Sequence, residues 1–197
     1  MVTTPNLSPE NTELSADELA GLIPSLATKQ DLNEFERENI IVATAWALSE
    51  RILKQCEPWS EAYIRELHRR MFEETWKWAG IYRKTNKNLG VPFEQIRELL
   101  PAVLGDAKYW IDNTTCDLDE IAARMHHRLV LIHPFPLGNG RHARLVADVL
   151  LAKLGRKPFT WGAANLVSPG PPREIYIAAL KTADSGDIQP LVKFARA

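Results

Sequence analysis

His133-Pro134-Phe135-Pro136-Leu137-Gly138-Asn139-Gly140-Arg141-His142-Ala143-Arg144 is the stretch on which the reading of this chain turns. Upstream, Leu118, Ile121, Ala122, Met125, Leu129 and Ile132 recur at helical spacing, and a helix there must stop near His133 because Pro134 follows. Downstream, residues 141–154 are again helical in pattern, with Gly155 a natural stop just past the end. A short loop between two helices thus delivers a histidine, two glycines flanking an asparagine, and two arginines three residues apart. Glycines let backbone N–H groups approach a ligand closely, and the next helix points its unpaired N-terminal donors at the same spot. The helix dipole adds favourable potential for an anion. Arg141 and Arg144 share one face of the first turns and can form bidentate bonds to phosphate oxygens. A histidine, with an ordinary pKa near 6.5, is the side chain best suited to accept a proton at neutral pH. The loop reads as a site for a phosphate ester.

Working outward, the rest of the chain is also mostly helical in pattern. Ser15 with Glu18, and Thr28 with Asp31, are capping-box signatures. The first opens a short helix; the second opens a long one through Leu32, Phe35, Ala43, Trp46 and Ile52. Ser60 caps a helix with Ile64, Leu67, Met71 and Phe72 on one face. Between Trp78 and Pro92 the period breaks around Gly80, Asn86, Asn88 and Gly90, which predicts a small hairpin. Ile96, Leu100, Val103, Ala107 and Ile111 restore helical spacing across Pro101 and Gly105. A Pro/Gly stretch from Ser168 to Pro172 precedes a helix through Tyr176 and Leu180, and a last one runs from Ile188 to Phe194. Residues 1–14 predict a loose arm. The fold class is therefore all-α with one small hairpin.

Composition bounds the function. The 197 residues suffice for one ordinary domain, 45% hydrophobic and 25% charged, and a chain of this size buries about 70% of its unfolded surface. No apolar run reaches the roughly 18 residues of a membrane span, and no signal-peptide pattern opens the chain, so a cytoplasmic location is the expectation. The net charge of −1 gives no global drive toward nucleic acid or membrane. Charge is nevertheless uneven: residues 1–38 hold eight acids and two bases, and residues 124–157 hold seven bases and one acid. Three readings stay open: an anionic ligand by the basic stretch, the acidic stretch folding over it, or two solvated faces on different sides. Gly138-x-Gly140-x-x-Ala143 matches a loose dinucleotide fingerprint, but no strand precedes it. His126 and His127 are adjacent and point in different directions, which suits packing better than zinc. Cys56 and Cys116 form no paired motif and read as structural.

The stretch 133–144 resembles the Fic motif, H-P-F-x-[D/E]-G-N-G-R-x-x-R, at every specified position except Leu137. Trp78-Ala79-Gly80-Ile81-Tyr82-Arg83 resembles the segment leading into the Fic flap, and Ala183-Asp184-Ser185-Gly186-Asp187 with Pro190-Leu191 resembles the family's C-terminal end. Within the Fic/DOC family the likeness is to small bacterial Fic proteins called mobile mystery protein B. It implies a Fic core over residues 60–197, preceded by an arm and a candidate regulatory helix over 1–59. It implies transfer of AMP from ATP to a Ser, Thr or Tyr hydroxyl of a target protein. His133 would be the general base. Gly138, Asn139 and Gly140 would form the anion hole, with Arg141 toward the β-phosphate and Arg144 toward the γ-phosphate. Phe135 would anchor the loop. The flap Thr85, Asn86, Lys87, Asn88, Leu89 and Gly90 would hold the target segment by main-chain pairing.

The departure at Leu137 matters because the family's carboxylate there binds the Mg²⁺ that bridges the ATP phosphates, and leucine offers no oxygen. The resemblance thus implies ATP as substrate with weakened Mg²⁺ binding; the alternative is a nucleotide-binding, catalytically impaired protein acting through partners or as a toxin–antitoxin component. Inhibition in the family comes from a helix carrying [S/T]-x-x-x-E-[G/N], or from a small antitoxin protein. Glu38-Asn39 supplies the last two positions here, with Glu34 where Ser or Thr should stand. That makes Glu38 a candidate inhibitory residue aimed at Arg144.

Overall fold

Four helix starts among the described residues are set by side-chain caps. In the computed structural model, which describes residues 14–25, 28–163, 166 and 170–197, Ser15 opens α1 (Ala16–Leu19) with a full capping box. Thr28 opens α2 (Lys29–Ala47) in the same way, its Oγ1 accepting from the Asp31 N–H at 3.1 Å and its N–H donating to Asp31 Oδ2 at 2.9 Å. Ser60 caps α4 (Glu61–Phe72) and Asp117 caps α6 (Leu118–Ile132). Each cap satisfies donors that a helix N-terminus leaves without intrahelical partners. The remaining helices are α3 (Glu50–Gln55), α5 (Ile96–Asp112), α7 (Asn139–Lys153), α8 (Pro171–Asp184) and α9 (Gln189–Arg196). The expected arm lies outside the described residues except for Leu14, as do Ser168 and Pro169 of the expected Pro/Gly stretch.

Two expectations are corrected. The long helix does not run on through Ile52: it ends at Ala47, where the Ser49 hydroxyl donates to the Trp46 carbonyl at 2.7 Å, and α3 then starts afresh. A hydroxyl that captures a helical carbonyl competes with the helix's own ladder. The segment 78–92 also forms no paired hairpin. Among the described residues the one β-bridge joins Leu22 to Trp76. The carbonyls that a hairpin ladder would use, those of Thr85 and Val91, accept instead from the Arg83 guanidinium, and the Phe93 N–H donates to Asn86 Oδ1 at 3.0 Å. By contrast, α5 tolerates Pro101 near its start because the helix is held by buried Ile96, Leu100, Val103, Leu104 and Ala107.

The result is an all-α domain with α6 at its centre, packed on α5, α7 and α9, while α4 packs on α2 and α7. Ile121, Met125 and Leu129 of α6, Val146 and Leu150 of α7, and Ile64, Leu67, Met71 and Phe72 of α4 are almost wholly buried in one core. Ala43 and Ala47 of α2 belong to the same core. This packing fixes the C-terminal end of α6 beside the N-terminal end of α7, and the loop of interest lies between them.

Two stability measurements test this arrangement. Leu129 is 1% exposed and Ile41 is 57% exposed. Leu129→Ala should therefore cost about 2–5 kcal/mol in urea unfolding, and Ile41→Ala no more than about 0.5 kcal/mol; equal effects would contradict the placement of α6. Acid should also destabilise the fold. Burial brings His133 and His142 down to about 4, His126 to about 3, and His68 well below 6.5. Between pH 6.5 and about 4 the unfolded chain therefore takes up protons that the folded chain refuses, and stability falls with pH. Asp148, raised to about 7 by burial, acts in the opposite sense, but as one group against four. The urea midpoint should drop as pH falls through this window, and a constant midpoint would refute the account.

Candidate functional site

The site begins at the end of α6. His133 is its C-cap residue, just past Ile132, in the left-handed conformation at φ 54°, ψ 60°, which is uncommon for a residue with a Cβ. Pro134 forbids helical continuation, and the tight reversal turns the imidazole to the wall of a cavity of about 700 Å³. His133 Nδ1 lies 3.2 Å from the Val130 carbonyl oxygen. A carbonyl can only accept, so Nδ1 carries the proton and Nε2 is the acceptor nitrogen. Burial holds the pKa at about 4, the cations Arg83 and Lys87 adding to the depression and the Val130 bond opposing it. The ring is thus neutral at physiological pH, with the Nε2 lone pair unprotonated.

The loop that follows has its carbonyl oxygens turned onto the protein. Arg83 Nε donates to the His133 carbonyl at 2.6 Å, and the Arg83 N–H to the Pro134 carbonyl at 3.0 Å. The Asn139 side chain closes on Phe135, its Nδ2 donating to the carbonyl at 2.8 Å and its Oδ1 accepting from the N–H at 2.9 Å. The side chain of Asn139 is therefore a staple, and only its backbone N–H can serve an anion hole. Gly138, at φ 79°, has no room for a side chain: a Cβ would lie 2.3 Å from Phe72 Cζ. The N–H groups of 139–141 precede the first intrahelical bond, from His142 N–H to the Gly138 carbonyl. Gly138, Asn139 and Gly140 all line the same cavity as His133.

The two arginines are not equivalent. Arg141 donates to Glu36 Oε2 at 2.7 Å, while Glu36 Oε1 accepts from Trp76 Nε1 at 2.7 Å. Glu36 is only 2% exposed, so the acidic N-terminal stretch does fold over the basic one, and α2 is the element that brings it there. Glu38, two positions on, is rotated about 200° around the helix and is exposed. The acid that reaches the loop is therefore Glu36, on Arg141, in place of the expected Glu38 on Arg144. Arg144 instead sits over the Tyr176 ring at 5.7 Å. Burial lowers its pKa, and a hydrogen bond with the Tyr176 phenol opposes that shift. Tyr176 OH is in turn 2.9 Å from His126 Nε2.

Of the flap residues, Leu89 and Gly90 line the cavity. Gly90, at φ 98°, packs so closely that a Cβ would lie 2.5 Å from His133 Cβ. Thr85 and Lys87 instead bond to Glu18 of α1, and Asn86 to the Phe93 N–H; Asn88 is exposed. The sequence reading missed Glu36, His68, Tyr176 and the use of Arg83. The charge asymmetry pointed toward Glu36, whereas no local pattern marked His68 or Tyr176. At position 137 the side chain supplies no oxygen, and its carbonyl is 3.0 Å from His68 Nε2. Among the described residues no group of three or more His, Cys, Asp or Glu is placed to hold a metal ion. The loop therefore does not fit a protein-held Mg²⁺ at the family's position.

The fold and the site together define an all-α domain in which a buried neutral histidine and the N-terminal residues of α7 line one cavity. Residues 58–151 match the Fic/DOC family model, and the chain belongs to that family. It is 34% identical over 135 residues to protein adenylyltransferase fic-1 of Caenorhabditis briggsae, an alignment covering 66% of this chain and 25% of that protein. This chain thus spans about a quarter of the length of the curated relatives it matches. Among solved structures, a Fic-1 fragment from C. elegans superposes with a TM-score of 0.61 at 29% identity, covering 91% of this chain and 51% of that one. Bartonella tribocorum BepC with bound AMPPNP shares the fold with a TM-score of 0.68 at 19% identity, over 92% of this chain and 97% of that one.

Because Glu36 occupies Arg141, Glu36→Gln should tighten pyrophosphate binding several-fold, by about the 1 kcal/mol expected of such a charge removal, while the Trp76 bond is kept. Glu38→Gln is the control and should change nothing. Calorimetric titration decides, and equal affinities for wild type and Glu36→Gln would remove Glu36 from the anion site.

Proposed function

We propose that this chain is an ATP-dependent protein adenylyltransferase, moving AMP onto a Ser, Thr or Tyr hydroxyl of a target protein. The observation that carries the reading is that His133, with its acceptor nitrogen fixed by Val130, lines one cavity with the N-terminal amides of α7 and Arg144. Adenylyltransferase relatives at 34% identity support the same reading. In the reaction, His133 Nε2 takes the hydroxyl proton and the oxygen attacks the α-phosphorus in line. The bond from that phosphorus to the β-phosphate bridging oxygen breaks, leaving pyrophosphate and an AMP ester. Positioning and charge neutralisation supply most of the acceleration, through the amides of Gly138–Arg141, Arg144, and Arg141 once released from Glu36. The exposed turn at Asn88, Leu89 and Gly90 would hold the target backbone beside His133, within a Fic core over 60–197. Residues 1–59 would act as the regulatory segment through α2.

One feature favours a second reading, nucleotide binding without efficient transfer. Leu137 leaves the phosphates without a protein-held metal, and Glu36 already neutralises Arg141. Incubation with α-labelled ATP and a lysate, with and without Mg²⁺ or Mn²⁺, separates the two. Under the first reading label appears on protein, His133→Ala lowers it at least about 100-fold, and Leu137→Asp raises its metal dependence. Nucleotide bound without label, in both wild type and Leu137→Asp, would establish the second reading instead.

A further inference from the structure

Helix α4 carries one polar residue deep within its apolar face. Ile64, Leu67, Met71 and Phe72 are buried there, and His68 stands among them with 0% exposure. An imidazole in such a place is costly unless both ring nitrogens are bonded. Both are, and to the backbones of two distant segments. The Gly80 N–H donates to His68 Nδ1 at 3.0 Å, and His68 Nε2 lies 3.0 Å from the Leu137 carbonyl oxygen. An N–H can only donate and a carbonyl can only accept, so the ring is a neutral tautomer with its proton on Nε2. Its depressed pKa agrees, burial being the main cause. The ring also stacks on Phe135, centroid to centroid 3.7 Å, and contacts Phe72 at 4.7 Å.

The consequence lies one atom beyond the hydrogen bond. A trans peptide is planar, and its C=O and N–H point in opposite directions. With the Leu137 carbonyl held inward on His68, the N–H of Gly138 in the same peptide points away from the core, where Gly138 lines the cavity. The glycine is already confined by Phe72, against which a Cβ would collide, so this peptide plane is gripped from both sides. We propose that His68 is a positioning residue for anion binding: it fixes the Leu137–Gly138 peptide so that the Gly138 N–H donates into the cavity, in line with the N–H groups of 139–141. Without that bond the peptide can turn over and present the negative end of its dipole to the ligand. This rests on the reading of the loop as a phosphate site, but not on the transfer chemistry.

The test uses the full chain, with inorganic pyrophosphate and adenosine as separate probes. His68→Phe keeps the stacked ring and removes both hydrogen bonds. Its pyrophosphate Kd should rise about tenfold, the scale of one charge-assisted bond, while its adenosine Kd stays within twofold of wild type. His68→Gln, which restores a donor and an acceptor, should regain most of the pyrophosphate affinity. Equal weakening for both probes would reduce His68 to a packing residue and overturn the proposal. An unchanged pyrophosphate Kd would do the same, as would wild-type protein that binds no pyrophosphate. Should His68→Phe not fold, His68→Gln decides by the same readout, because the Gly138 amide resonance must shift when pyrophosphate is titrated into both wild type and this variant, which keeps a donor for the Leu137 carbonyl. A static Gly138 amide beside moving neighbours would refute the assignment. Wild type that shifts at Gly138 yet transfers no AMP would leave His68 in place and remove the transferase reading alone.

Discussion

An anion is repelled by peptide carbonyls and attracted by peptide N–H groups, so an anion-binding loop must keep its oxygens elsewhere. Between His133 and Leu137 this chain does so with buried donors drawn from three separate segments: Arg83 takes the carbonyls of His133 and Pro134, Asn139 that of Phe135, and His68 that of Leu137. Each bond is worth only about 1 kcal/mol net, but a buried carbonyl left unmade would cost more, so the set is mutually enforcing. The left-handed turn at His133 is sustained by the same bonds. They lie on both sides of a backbone conformation that would otherwise cost about 1–3 kcal/mol. Helix packing matters here because α4 brings His68 and the segment after α4 brings Arg83.

The same segment ties the flap to His133. The Arg83 guanidinium spans the carbonyls of His133, Ile132, Thr85 and Val91. Flap and loop therefore share one buried cation, and Gly90 closes against His133 without space for a side chain. A peptide resting on Asn88–Gly90 would be registered against His133 by covalent and hydrogen-bonded geometry, with no need to recognise particular side chains. Such a surface suits main-chain pairing, which is tolerant of sequence.

Much of this was legible in sequence, and the reasons for what was not are physical. Periodicity and caps placed α2, α4, α6 and α7, because amphipathic helices write their buried face at a fixed spacing. The end of α6 was readable from Pro134 alone. The break at Ser49 was not, since a serine inside an apolar period captures a carbonyl only in a particular local geometry. The flap misled because Gly and Asn mark a turn without saying what satisfies its backbone, and here a side chain from Arg83 does the work of a ladder. His133, Gly138 and the arginines were marked by a contiguous motif. His68 and Tyr176 touch that motif from 69 and 32 residues away in the chain, and no local pattern can announce such a contact. Glu36 is intermediate: unequal charge between two stretches left an acidic partner as one alternative, but only helix phase selects Glu36 over Glu38.

The balance of charge in the cavity follows from these placements. Arg141 is neutralised by Glu36, and Glu36 is held in turn by Trp76. Arg144 is accompanied by a phenol, a weaker partner that leaves its positive potential directed into the cavity. A single phosphate can be met by Arg144 and the α7 amides with Glu36 in place. A triphosphate carries more charge than those groups offset, and the Leu137 side chain supplies no oxygen to anchor a metal riding on the phosphates. Under the proposed function, binding of a triphosphate would be favoured by drawing Arg141 away from Glu36, at the expense of a buried carboxylate that keeps Trp76 as its remaining partner. The position of α2 and the identity of residue 137 are thus coupled through the ligand's charge. On that reading, a chain with leucine at 137 would depend more heavily on freeing Arg141 than one in which a carboxylate-bound metal shares the load.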